Sequence, residues 1–489
     1  MYKQLVRNVS TRVQQSCLSL QQRIGASLED KKQKNTIPAL DGVRAIACLT
    51  VVAFHVNLIT RETQRWSPGN TNLLVSSIML AGASGVTLFF ILSGFLLFLP
   101  YAKVMLFEGT WPSARKFYLR RAFRIIPAYY VALCLIILFS QPQFLQLDHL
   151  KDLTLFLVFF MDSTQATYQQ INGPFWTLAV EWQYYLLLPL LAGVIGFIAR
   201  RGAPQRRFWT VILCLIGVIA WGLCSRYWGL TLTAHPTETL LVPRSVLNGV
   251  LVFTYGVSGK YLEDFAVGML ISVFYVYARN TTHGNRCAEW LRRLNYGLWG
   301  SGIVILLFMA LWHFDQWYYH SWSFLDGIVI PHPPGFPLYD WLNEIMLSIG
   351  FGLCVTAILF GPTILRRPFE WFPLRWIGFI SYSLYMWHLP LLVFFMTHVD
   401  RYIPSGNHFL VYSLYWLWIA CIIIPFCYLS FLLVEKPWIK IGSRFLKDRP
   451  KEVKEAQAGD SEICTVPSSS PEAMCSPSGD HATVNTSLL

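Results

Sequence analysis

Ten long apolar stretches, separated by polar segments, run along most of this chain. They fall near residues 40–60, 75–99, 124–140, 175–199, 208–228, 262–279, 297–313, 339–361, 375–396 and 408–433. Several run for about 20 residues without interruption, enough for a helix to cross about 30 Å of hydrocarbon. The pattern predicts an all-α, polytopic transmembrane bundle of about ten helices. One further apolar run, DLTLFLVFFM at 152–161, is too short to span and reads as a re-entrant or interfacial piece. The longest loops, at 229–261 and 314–338, lie on the side expected to be outside. The second carries Trp317, Tyr318, Tyr319 and Trp322, then Pro331, Pro333, Pro334 and Pro337, and such aromatics anchor at headgroup level.

Three regions follow from this pattern. Residues 1–36 are a polar, basic segment with no apolar core or cleavage site, so no signal peptide is expected. Residues 37–437 form the membrane domain. Residues 438–489 form a tail, which from 447 onward is polar, rich in serine and proline, and expected to be disordered.

Composition agrees with a membrane protein. Of the 489 residues, 54% are hydrophobic and 13% charged, against about 25% charged in soluble domains. The net charge of +12 does not point to nucleic acid, because the basic residues sit in short clusters between apolar runs. With the N-terminus inside and the spans alternating, 31 Lys and Arg fall inside, 7 outside, and Arg44 within the first span. That asymmetry orients both termini toward the cytoplasm in a cell membrane. The eleven cysteines show no metal-ligand spacing, and none lies in an expected outer loop. Neither a structural disulfide nor a metal site is expected.

Ionisable residues inside spans carry the candidate chemistry, since each costs several kcal/mol unless paired or hydrated. In IPALDGVRAIACLTVVAFHV, Arg44 and His55 are eleven residues apart. That is about 1100° of helical rotation, so both lie on one face, ~16 Å apart along the axis. Asp41 is placed to pair with Arg44. Read alone, His55 is equally a packing histidine and Arg44 a snorkelling one; their shared face favours function. Glu181, in PFWTLAVEWQYYLLLPLL, falls at the same depth as His55 and is expected to orient it, as carboxylates orient the histidine in acyl transfer to alcohols. Tyr185 is one turn further on. His388 in ISYSLYMWHLPL, Ser93 in FFILSGFLLF and Trp176 complete the candidate substrate contacts. The segment RKFYLRRAFRIIPAYY, read as an inner loop leading into the third span, offers Arg120, Arg121 and Arg124 as a phosphate clamp.

Taken together and in order, these landmarks and the closing VEKPW resemble the acyltransferase-3 family of integral membrane O-acyltransferases, over roughly residues 37–437. The resemblance implies transfer of an acyl group, often acetyl, from cytosolic acyl-coenzyme A to a hydroxyl of a sugar or exported glycan. It also implies that Arg44 and His55 are the essential pair. Acyl-coenzyme A is then a co-substrate, and no permanently bound cofactor is expected. Some relatives carry a hydrolase-like domain after the membrane part, for which the tail here is too short. Two other readings use the same polar stripe: a flippase for a lipid-linked sugar, and a silent membrane scaffold.

Overall fold

A computed structural model describes residues 37–65, 72–237, 242–319, 337–403 and 408–446. The N-terminal segment 1–36, the tail from 447, and Trp322, Pro331, Pro333 and Pro334 lie outside the described residues.

Among the described residues the protein is helical, without strands. Helix α1, Pro38–Glu62, starts on a proline at its first position, where the missing N–H has no intrahelical partner to lose. Short α2, Leu73–Leu80, is capped by the Asn72 side chain and runs through a 3₁₀ turn into α3, Gly85–Phe107. Helix α4, Ala114–Ser140, begins at a Ser113 cap. The basic stretch is therefore not a loop: Arg115 to Arg124 form the first turns of a 27-residue helix, to which Lys and Arg lend good helix propensity.

Amphipathic α5, Leu150–Leu157, follows; at eight residues it cannot cross a bilayer, as the sequence indicates. Then come α6, Phe175–Ala199, α7, Pro204–Ala234, and α8, Arg244–Thr254. Next are α9, Leu262–Asn280, α10, Thr282–Arg293, α11, Asn295–Phe314, and α12, Leu338–Phe360. After α13, Thr363–Glu370, a bent pair is formed by α14, Phe372–Phe379, and α15, Ser381–His398. The last apolar helix runs through two π-turns between residues 409 and 445.

Among the described residues, eight helices are long and apolar enough to cross a membrane, and a ninth span results if the pair bent by 75° at Ile380 counts as one. The remaining expected span, 262–279, is α9. Glu263 and Asp264 in its first turn and Arg279 in its last leave it without an uncharged stretch of spanning length. It is nevertheless the most enclosed helix. Glu263 binds Arg226 of α7 at 2.8 Å, and Asp264 accepts from Ser348 of α12 at 2.8 Å. Its crossing with α3 is backbone to backbone: a Cβ added at Gly268 would overlap Ile91 O, and one at Gly94 would overlap Phe265 O. Small residues that let helix backbones meet are the usual membrane packing device. Ser93 beside Gly94 is thereby held facing α6.

Large apolar side chains such as Phe139, Leu190, Phe197, Leu213, Val304 and Leu433 remain exposed around the bundle. A soluble monomer does not expose so many, and they suit contact with lipid chains. The protein is a multi-pass membrane protein.

Candidate active site

Helix α1 lines two cavities. The first, of about 220 Å³, surrounds Arg44 and is closed by Ser93, Arg121, Arg124, Glu181, Tyr185, Ser381, Tyr382 and Tyr385. The second, of about 920 Å³, surrounds His55 and includes Trp176, Tyr261, Asn343 and Glu344. Val86 and Tyr385 line both. The eleven-residue spacing thus does what the helical period predicts, keeping Arg44 and His55 on one face while separating them by depth.

The Arg44 cavity gathers cations. Arg44 meets Asp41 at 3.6 Å, and Asp41 also meets Arg375 at 4.0 Å, so the carboxylate is shared. Arg121 and Arg124, three residues apart on α4, face the cavity together, and the Arg121 guanidinium lies 5.8 Å over the Tyr185 ring. Arg120 does not belong with them. It is exposed, donates from Nε to Lys116 O at 3.2 Å, and does not line the cavity. The helical rotation of about 100° per residue turns it away from Arg121.

Glu181 is the one carboxylate lining this cavity among the described residues. It accepts from Ser93 Oγ at 2.7 Å and from the Tyr185 hydroxyl. It therefore does not orient His55, contrary to the reading by depth. Ser93 and Tyr185 bring Glu181 to the arginine side of Tyr385, away from His55.

The partner of His55 is His388, fully buried on α15. His388 Nε2 lies 3.3 Å from His55 Nδ1, with ring centroids 4.9 Å apart at 64°. His55 Nδ1 also lies 2.9 Å from Val51 O, and His388 Nδ1 lies 3.0 Å from Leu384 O. A carbonyl only accepts, so these bonds assign a proton to each Nδ1. His388 Nε2 is then an acceptor for the His55 Nδ1 proton, and His55 Nε2 keeps its lone pair. A histidine with a free Nε2 and a backed Nδ1–H can take a proton from a hydroxyl.

Trp176 lies in the His55 cavity, with ring centroids 5.6 Å from Tyr168 and 5.4 Å from Tyr261. Tyr261 adopts a left-handed backbone at φ 53° directly before α9, a conformation costing about 1–3 kcal/mol for a side-chain-bearing residue. Tyr385 separates the two cavities, its hydroxyl 2.8 Å from Thr177 Oγ1 and its ring edge-on to Phe89. Asp340, Glu344, Tyr261 and Tyr385 are site residues absent from the sequence candidates. Asp340 and Glu344 fall at or in a predicted span, so the cost of buried charge is the signal that finds them. No group of three or more His, Cys, Asp or Glu among the described residues is arranged to hold a metal ion.

Comparison with known proteins gives this geometry a family. The O-acetyltransferase OatA of Staphylococcus aureus (strain NCTC 8325) is 24% identical over 399 residues, 78% of this chain and 54% of its own length. The peptidoglycan O-acetyltransferase OatA of Listeria monocytogenes is 23% identical over 373 residues, 73% of this chain and 49% of its own. A protein of S. aureus (strain COL) is 24% identical over 445 residues, 86% of this chain and 60% of its own. The chain thus spans about half to three-fifths of these relatives. No solved structure matches it. The acyltransferase-3 family model, described as an acyltransferase domain, matches residues 37–435, and the chain belongs to that family.

Proposed function

We propose that the protein transfers an acyl group, acetyl first among candidates, from acyl-coenzyme A to a hydroxyl of a sugar or glycan. The observation that carries this reading is the pair of cavities along α1, one holding three arginines and the other a histidine poised as a base, adjoining at Tyr385. Family membership and the names of the two OatA relatives support it. In this reading both termini are cytoplasmic, the Arg44 cavity opens toward the cytoplasm and the His55 cavity toward the far side. The charge asymmetry of the loops supports that orientation.

The coenzyme A phosphates dock at Arg121 and Arg124, whose planar forks match phosphate oxygens. The pantetheine arm extends past Arg44 and Tyr385, bringing the thioester toward His55. His55 Nε2 takes the acceptor hydroxyl proton. The hydroxyl oxygen bonds to the thioester carbonyl carbon, the carbon–sulfur bond breaks, and the departing thiolate takes the proton back from His55. The products are an ester and free coenzyme A. His388 Nε2, accepting from His55 Nδ1–H, stabilises the imidazolium formed on the way.

A broken span is a feature of transporters, and the 75° bend at Ile380 makes α14 and α15 either a broken span or a re-entrant loop. It favours a second reading, movement of a lipid-linked sugar without acyl transfer. Purified protein in liposomes with labelled acetyl-coenzyme A and a sugar acceptor separates the two. The enzyme releases free coenzyme A in proportion to labelled ester, and His55→Ala abolishes both while inserting normally. Full activity in His55→Ala overturns the mechanism; sugar movement with no coenzyme A release establishes the transporter.

A further inference from the structure

The two cavities differ in charge as well as in size. The Arg44 cavity is lined by three arginines and one carboxylate. The His55 cavity, four times larger, is lined among the described residues by Glu62, Asp340 and Glu344 and by no lysine or arginine. Glu344 is held in place by Thr87 Oγ1 at 2.9 Å and Asn343 Nδ2 at 3.0 Å. Among the described residues neither Asp340 nor Glu344 forms an ion pair, and the nearby Arg226 is engaged by Glu263 at 2.8 Å and by Ser258 O at 3.0 Å. Alongside these carboxyls stand the Tyr168, Trp176 and Tyr261 rings and the side chain of Asn172, which is fixed by its bond to Met386 O at 2.9 Å. Carboxyl groups accept hydrogen bonds from hydroxyl and ammonium donors, and aromatic faces pack against the apolar faces of sugar rings.

We infer that the His55 cavity is an acceptor subsite selective for uncharged or cationic sugars, and that it excludes uronic acids and sugar phosphates. An anionic sugar entering it loses water and, among the described residues, meets no lysine or arginine lining it, a cost that hydrogen bonding to neutral groups does not cover. The same charge pattern keeps the coenzyme A phosphates in the arginine cavity, so donor and acceptor sort to opposite ends of one passage. This assignment rests on the proposed acyl transfer for its meaning, but its prediction about binding does not.

The test uses the purified full-length protein in detergent and four nitrophenyl glycosides: N-acetylglucosaminide, glucosaminide, glucuronide and glucoside 6-phosphate. Equilibrium binding is measured without donor, and transfer is measured with acetyl-coenzyme A. The neutral and cationic glycosides are expected to bind at least about 30-fold more tightly than the two anionic ones, a like-charge and desolvation penalty. The double variant Asp340→Asn, Glu344→Gln keeps size and hydrogen bonding. It is expected to narrow that ratio at least about fivefold while leaving the KM for acetyl-coenzyme A unchanged. Asp340→Asn alone removes no ion pair, so it reports the same direction should the double variant fold poorly. Equal binding of the glucuronide, no binding of any glycoside, or an unchanged ratio in both variants overturns the inference. If binding follows charge but no acyl group moves with any acceptor, the transfer reaction fails and the subsite stands.

Discussion

In the proposed mechanism His388 acts through His55, as a positioning residue. Its Nε2 accepts the His55 Nδ1 proton, and its own Nδ1 is committed to Leu384 O. Removing that acceptor leaves His55 in the cavity but destabilises its protonated form. His388→Leu is expected to lower kcat by about 100-fold, the span of one general-base contribution, with little change in the KM for acetyl-coenzyme A. His388→Gln places a side-chain oxygen near the old Nε2 and should recover part of the loss; a merely structural histidine would not show that rescue. Equal losses in both variants, or a change in KM alone, count against the relay. The arginines give a second contrast at this scale. Arg121→Ala and Arg124→Ala are each expected to raise the KM for acetyl-coenzyme A about tenfold, since a charge-assisted bond contributes roughly 1.5–3 kcal/mol. Arg120→Ala, outside the cavity, should leave it within about twofold. A larger effect from Arg120 than from Arg121 would mean that the phosphates dock on the outside of α4.

Between helices, the ion pair Arg226–Glu263 fixes α7 against α9, and Gly268 and Gly94 fix α9 against α3. Both partners of the pair are buried, with Arg226 5% and Glu263 1% exposed. Glu263→Ala strands the guanidinium and is expected to destabilise the protein by about 3–5 kcal/mol. The double replacement Arg226→Met, Glu263→Leu should recover most of the loss, and thermal unfolding in detergent measures both. If Glu263→Ala unfolds at the wild-type temperature, the pair does not hold these helices. These contacts also show what was and was not legible beforehand. A period of 3.6 residues put Arg44 and His55 on one face, because that relation is internal to α1. The pairing of Glu181 with His55 failed because counting residues from predicted span ends does not fix where a side chain sits, and Ser93 and Tyr185 hold the carboxylate in the Arg44 cavity. The basic stretch before the third span read as a loop from its polarity, although lysine and arginine extend a helix readily. Helix α9 read as an ordinary span. Only the surrounding helices show why its Glu263 and Asp264 are tolerated.

Across the whole bundle, the proposed orientation keeps the two substrates in separate aqueous compartments. The arginine cavity and the histidine cavity lie at different depths of the same helix and adjoin at Val86 and Tyr385. A pantetheine arm extended past Tyr385 would carry the thioester over the ~16 Å between Arg44 and His55, whereas the charged phosphates stay behind with their cations. Sidedness follows. In sealed proteoliposomes of known orientation, membrane-impermeant acetyl-coenzyme A should support transfer only from the side bearing the N-terminal end of α1. The labelled ester should then form on the opposite side, with free coenzyme A retained where the donor was added. Replacing Tyr385 with Trp should narrow the passage and slow transfer more than it weakens donor binding, because Tyr385 stands where the two cavities adjoin whereas the phosphates are held by Arg121 and Arg124. Ester and free coenzyme A recovered in one compartment would show that the two cavities serve a single aqueous face. The bundle would then be an enzyme within the membrane, with no passage of the acyl group across it.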